Sequence, residues 1–125
     1  MQLHLERPDF EFFLRGADGR VALVNDRTLT RSFIIAPDRL IEDWPVQAVG
    51  ALQPDDLTPA LALAPELVIL GVGASQAFPS PAVLAACLQR GVGLESMTNA
   101  AAARTFNVLA AEGRRVVAAF LLDGT

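Results

Sequence analysis

The sequence predicts an α/β fold: a single domain with a mixed central sheet, helices packed on it and extra N-terminal β structure. Three observations lead to this prediction. The first third of the chain is rich in β-forming residues, Leu67–Leu70 is an apolar run without alternation, and helical and extended segments alternate from Ser80 to Leu122. A helix between two strands allows them to be parallel. The 125 residues suit one domain, with residues 1–9 as a loosely ordered lead-in.

The first half of the chain is predicted to be mostly β structure. Phe10–Arg15 and Arg20–Asn25 flank a Gly-Ala-Asp-Gly turn signal and predict a hairpin. Thr28–Ile35 mixes β-branched and aromatic residues in alternation, which predicts one strand with a solvent-facing side. Leu40–Trp44 is expected to be a short helical or irregular turn, and Val46–Leu52 another short strand.

Helix and strand signals alternate in the second half. Two aspartates at the start of residues 55–64 favour a helix there, because acidic side chains stabilise the first turn. Leu67–Leu70 is typical of a strand covered on both faces. Ser80 followed by a proline predicts an N-cap and a helix over Pro81–Gln89, which Gly91 would end.

The remaining segments complete a β-α-β-α-β pattern. Gly93–Met97 is predicted to be a strand, and a helix starting at Thr98 or Asn99 is predicted to run to about Glu112. Arg115–Leu122 is the last predicted strand.

Composition excludes several functional classes. All ten basic residues are arginines, fourteen residues are acidic, and the net charge is −4, so no basic patch predicts nucleic-acid binding. Cys87 is the single cysteine, which excludes an internal disulfide and a multi-cysteine metal site. Prolines and a glutamate interrupt the apolar stretch Leu57–Ala74, so no transmembrane helix is predicted. Met1–Asp9 lacks the apolar core of a signal peptide, and a cytoplasmic location is expected.

Three side chains that can carry chemistry are interpreted structurally. His4 is expected to be exposed, Cys87 to be a buried thiol inside an apolar helix, and Trp44 to fill part of the core.

The glycines after the apolar strand do not predict a dinucleotide site. Gln76 stands where the fingerprint needs its third glycine, and the next helix begins only at Ser80. Ser75 lacks the second glycine of a Gly-x-Ser-x-Gly elbow. The sequence therefore predicts no cofactor, no metal and no catalytic set.

One alternative from the residues is a small-molecule site, for binding an anion or for an enzymatic reaction. Ligands of open α/β sheets prefer the crevice beyond the carboxyl ends of parallel strands. The loops at residues 71–78 and Ser96–Asn99 would flank such a crevice, with helix amides near Thr98 facing an anion.

The predicted helix after Thr98 has two faces. Ala102, Phe106 and Leu109 share a packing face, while Arg104 and Asn107 lie opposite. Arg104 either pairs with Glu95 or Glu112 on the surface, or acts with Asn107 at the crevice or against a partner. The candidate pocket or partner surface comprises Gly71, Gly73, Ser75, Gln76, Glu95, Thr98, Asn99, Arg104 and Asn107.

Several segments resemble a known family. They are Pro65–Gly73, the Glu95-x-Met97 strand, Arg104-Thr-x-Asn107-x-Leu109 and Gly113–Val117, with a Trp-Pro pair near the middle. The family consists of small proteins of largely unknown function and includes the mitochondrial complex I (NADH:ubiquinone oxidoreductase) assembly factor 3. The Arg-Thr-x-Asn segment is the most specific part of the resemblance, which covers most of the chain after residue 10.

The resemblance implies a single α/β domain without established catalytic residues. It implies for the mitochondrial relative a non-enzymatic role in assembling a respiratory complex with a partner factor. We therefore expect a bacterial interaction or assembly protein whose partners are respiratory-complex subunits or another assembly protein. A homo-oligomer is a further option that the sequence leaves open.

Overall fold

The computed structural model describes residues 11–123, so the predicted lead-in and His4 lie outside the described residues. The strands and helices, in chain order, are β1 (Leu14–Ala17), β2 (Ala22–Val24), β3 (Arg27–Leu29), β4 (Phe33–Ala36), β5 (Arg39–Ile41), α1 (Thr58–Leu61), β6 (Leu67–Gly71), α2 (Pro81–Leu88), β7 (Gly93–Met97), α3 (Asn99–Ala111) and β8 (Val116–Phe120). A five-stranded sheet with the order β5-β4-β8-β6-β7 stands beside a three-stranded sheet with the order β1-β2-β3.

The five-stranded sheet is mixed, as predicted. β6 is parallel to both of its neighbours, β7 and β8, whereas β4 is antiparallel to β8 and to β5. The crossover through α2 leads from β6 outward to β7, and the crossover through α3 leads back over β6 to β8. Because crossovers are right-handed, opposite directions place the two helices on opposite faces of the sheet.

The core confirms this three-layer arrangement. Val68, Leu70 and Ala119 belong to the cluster on the α2 side, together with α1 and the Trp44 region. Ile69 and Phe120 belong to the cluster on the α3 side. Both sets are fully buried, which explains why Leu67–Leu70 shows no polar alternation.

The predicted N-terminal β structure forms its own antiparallel sheet on the α3 side. Leu14, Val24 and Leu29 pack in the same buried cluster as Ala102 and Phe106 of α3. The small sheet therefore covers one face of the domain together with α3.

Four predictions in residues 28–64 were wrong in detail. Thr28–Ile35 is two strands in different sheets, because the chain turns at buried Ser32, whose Oγ accepts a hydrogen bond from the amide of Leu122 at 2.9 Å. The predicted turn at Leu40–Trp44 overlaps β5, which pairs with β4.

The segments predicted as a strand at Val46–Leu52 and as a helix at residues 55–64 also differ. Val46–Leu52 contains a 3₁₀ turn at Val49–Ala51, since its buried or half-buried apolar residues recur every third position instead of every second. The region of residues 55–64 is a 3₁₀ turn, Pro54–Leu57, followed by the single turn of α1. It ends where Ala64 adopts a φ of 56° before a proline.

The helix signals of the second half are confirmed. Ser80 Oγ accepts from the amide of Val83 at 3.4 Å, and Thr98 Oγ1 accepts from the amide of Ala101 at 3.3 Å. Gly113 follows α3 with a φ of 79°, a conformation that favours glycine. Among the helices of residues 11–123, none combines the length and the apolar character that crossing a bilayer requires.

Candidate functional site

The carboxyl ends of β6 and β7 meet as predicted, but hydrogen bonds join their loops. The amide of Val72 donates to the carbonyl of Met97 at 2.9 Å, and the amide of Asn99 donates to the carbonyl of Gly73 at 2.8 Å. Gln76 Nε2 donates to the carbonyl of Ser96 at 3.2 Å. The polar groups that an anion would need between these loops are therefore largely bonded to the protein itself.

Asn99 is the centre of this junction and is fully buried. Its Oδ1 accepts from the amide of Gly73 at 3.1 Å, and its Nδ2 donates to the carbonyls of Asp18 at 2.8 Å and Leu121 at 2.9 Å. We call these contacts the Asn99 junction. They connect the loop after β6, the turn between β1 and β2, and the end of β8.

Gly71 lies against the Asn99 junction without room for a side chain. A Cβ at this position would stand 2.4 Å from Asn99 Oδ1 and 3.0 Å from Phe120 Cδ1. Gly73 has a φ of 110°, so its backbone also requires glycine. Gly71 is therefore required by close packing against Asn99 and Phe120, and Gly73 by its backbone conformation.

The remaining predicted residues near the strand ends differ in role and exposure. Thr98 caps α3, whereas Ser75, Gln76 and Glu95 are exposed at the surface. The structure thus gathers Gly71, Gly73, Gln76, Thr98 and Asn99 at the two loops and leaves the side chains of Ser75 and Glu95 in solvent.

The packing face predicted for α3 is confirmed, and the two residues predicted opposite it, Arg104 and Asn107, have different surroundings. Half-buried Asn107 bonds both backbone groups of Leu14: its Oδ1 accepts from the amide at 2.9 Å, and its Nδ2 donates to the carbonyl at 2.6 Å. Arg104 is exposed and forms no ion pair with an acid within residues 11–123, so the first of its two predicted alternatives, pairing with Glu95 or Glu112, is wrong. Both residues line a groove between β1 and α3.

An exposed apolar surface formed by α2 and the loop before it was missed at the sequence level. Phe78 is 75% exposed, Leu88 is 69% exposed and Leu84 is 37% exposed. We call these three residues the α2 face. The sequence shows that Pro81–Leu88 contains no polar or charged side chain, and the structure shows that Val83 and Cys87 are the residues that α2 buries.

The interpretations of Cys87 and Trp44 are confirmed. Cys87 is fully buried, and this burial raises the pKa of its thiol, so it is a poor thiolate. Trp44 is buried and its Nε1 donates to the carbonyl of Asp56 at 2.9 Å. Within the described residues, no group of three or more metal-binding side chains is close enough to hold an ion.

Arg115 ties the start of β8 to the β4–β5 turn and gives a pH-dependent prediction. Its guanidinium lies 2.5 Å from Asp38 Oδ1, and this hydrogen bond lowers the pKa of the Asp38 carboxyl below its usual 3.8. A carboxyl whose pKa is lowered by folding stabilises the protein above its unfolded-state pKa, and this contribution is lost as pH falls through the folded-state pKa. Because the Asp38 side chain is 58% exposed, the contribution is below about 1 kcal/mol.

We expect Asp38→Asn to lower the free energy of unfolding slightly at neutral pH. Its difference from wild type should vanish below the folded-state pKa of Asp38. Urea unfolding of both proteins from neutral to acid pH measures this difference. If the difference in unfolding free energy between the two proteins stays constant from neutral to acid pH, the Asp38–Arg115 contact does not lower the pKa of Asp38.

The fold and the site define a small α/β protein with a mixed five-stranded sheet and closed strand ends. The chain belongs to the DUF498 family, whose model, described as "Protein of unknown function (DUF498/DUF598)", matches residues 15–121. No functionally curated protein matches the chain.

Solved structures of bacterial proteins share this fold. A Xanthomonas campestris protein is 57% identical, with a TM-score of 0.84 over 99% of this chain and 94% of its own. A Bordetella parapertussis protein is 36% identical, with a TM-score of 0.83 over 90% of this chain and 96% of its own. A Bordetella pertussis protein, described as a Mth938-like domain, is 32% identical, with a TM-score of 0.81 over 99% and 94%.

Proposed function

We propose that this protein is a non-enzymatic interaction protein that binds a protein partner through the α2 face. The observation that carries the proposal is the exposure of two apolar side chains: Leu88, 69% exposed on a helix without polar residues, and Phe78, 75% exposed in the loop before that helix. A helix that is apolar on all sides is normally buried, and contiguous exposed apolar surface marks interaction sites.

The composition around the α2 face suits a partner with an apolar surface of its own. Leu84 and Leu88 are four residues apart and therefore neighbours on the helix, and the exposed residues between them and Phe78 are small or proline. Burying a side chain such as Phe or Leu contributes about 1.5–3 kcal/mol. Leu84 and Leu88 would thus provide apolar contacts from α2, and Phe78 would provide another from the loop before it.

We further propose that the process served is the assembly of respiratory complex I. The support is the resemblance of Arg104–Leu109 and the strand exit Pro65–Gly73 to the family that includes the mitochondrial assembly factor. The partner would be a subunit of the complex or a second assembly protein.

Complementation of a deletion strain tests both parts of the proposal. We expect deletion to reduce assembled complex I in native gels and NADH:quinone activity in membranes, and wild type to restore both. The double variant Phe78→Ser, Leu88→Gln should fold and fail to restore them. Val108→Gln is the matched control, because Val108 is 56% exposed on α3 and lies outside the α2 face.

The outcomes separate the two parts. Intact complex I in the deletion strain would overturn the assembly role. Full restoration by the double variant would overturn the α2 face as the binding surface. If the control fails as well, exposed apolar residues in general are needed, which would equally overturn the specific surface.

A further inference from the structure

A groove of about 370 Å³ lies between β1 and α3, on the opposite side of the central sheet from α2. Arg15 lines it from β1 and Arg104 from α3, and both are exposed. The other lining residues are mostly small and leave room between the arginines: Leu14, Gly16, Ala17, Ala100, Ala103 and Asn107.

The positive charge of this groove is uncompensated within the described part of the chain. Five arginines there form ion pairs with acidic residues: Arg20, Arg27, Arg31, Arg114 and Arg115. Arg104 forms none, and the described contact of Arg15 is a long one of 3.4 Å from Nη1 to the carbonyl of Asn25. No acidic residue among residues 11–123 lines the groove. The chain as a whole has a net charge of −4, so these two arginines make the groove a local region of positive charge.

Two further residues with hydrogen-bond donors, Asn107 and Ala100, line the groove. Asn107 is held in place by its two bonds to Leu14, which use one of the two N–H groups of Nδ2. Ala100 is the second residue of α3, in the first turn, where backbone amides lack partners within the helix and the dipole is positive. Residues of β1 and α3 that carry hydrogen-bond donors thus line the same groove.

We propose that this groove binds a small ligand through an oxyanion group, a carboxylate or a phosphate, held between Arg15 and Arg104. The planar fork of an arginine matches both groups with two parallel hydrogen bonds. The volume lies within the range of small-molecule sites, about 300–1,000 Å³. Arg104 is the direct ligand on α3, and Asn107 is a positioning residue that holds β1 at the distance from α3 that the groove requires.

An NMR titration of the ¹⁵N-labelled protein at constant ionic strength tests this site. The probes are inorganic phosphate, phenyl phosphate and succinate. We expect saturable shifts of the amides of Gly16, Ala100 and Ala103. If inorganic phosphate and phenyl phosphate saturate the site and succinate does not, the ligand is a phosphate. If only phenyl phosphate saturates it, the ligand is a phosphate with an attached apolar group. If only succinate saturates it, the ligand is a carboxylate.

Arginine variants distinguish a built site from general charge attraction. Arg15→Gln and Arg104→Gln should each weaken binding about tenfold or more, as expected for a charge-assisted contact. Arg90→Gln is the matched control, because Arg90 is exposed and forms no ion pair within residues 11–123, and it should bind like wild type. The absence of saturable shifts with every probe, or an equal loss in Arg90→Gln, would overturn the proposal.

Discussion

Replacing Asn99 with alanine is expected to lower the free energy of unfolding by about 3–5 kcal/mol, because the variant breaks a buried hydrogen-bond network. The amide of Gly73 and the carbonyls of Asp18 and Leu121 would each lose a partner. A buried polar group without a partner costs about 1–3 kcal/mol. The carbonyl of Asp18 belongs to an exposed turn and can bond water instead, so the main losses fall on Gly73 and Leu121.

Urea unfolding measures this effect, with Asn107→Ala as the matched control. Asn107 makes two hydrogen bonds, both to Leu14, and is half-buried, so its loss should cost about 1–2 kcal/mol. The Asn99 junction would be wrong as a structural centre if Asn99→Ala were no more destabilising than Asn107→Ala. A solved structure of Asn99→Ala should also show the β1–β2 turn displaced from the end of β8.

The second half of the fold was predictable because its signals are local. Ser80, Thr98 and Gly113 each act within three residues of a helix end, and Leu67–Leu70 is recognisable from its own composition. The break within Thr28–Ile35 has no such signal. It depends on Ser32 bonding Leu122, which lies 90 residues away.

The candidate site was also predicted only where its signals are local. Helical phase separated Phe106 from Arg104 and Asn107, since it needs only the period of α3. What those two residues contact depends on the small sheet, because Asn107 bonds Leu14 across 93 residues of chain. Asn99 was predicted as a pocket residue from its place after β7, but its bond to Asp18 spans 81 residues and gives it a structural role. The α2 face follows from composition only once the inward side of α2 is known.

Gly71→Ala is expected to lower the free energy of unfolding by about 1–3 kcal/mol, the range for overpacking. Its Cβ would stand 2.4 Å from Asn99 Oδ1, an atom that the amide of Gly73 and the two bonds of Nδ2 hold in place. Gly50→Ala is the matched control, because its Cβ would meet nothing within 4 Å, and it should be neutral or slightly stabilising.

A double-mutant cycle links this prediction to the Asn99 junction. In the Asn99→Ala background, the Oδ1 atom is gone, and the new Cβ meets Phe120 Cδ1 at 3.0 Å as its nearest remaining contact. The cost of Gly71→Ala should therefore fall in that background, which gives a coupling free energy of about 1–2 kcal/mol between the two positions. Additive costs would mean that Phe120, and not Asn99, requires glycine at this strand end. In that case the glycine would reflect the packing of β6 against β8 alone.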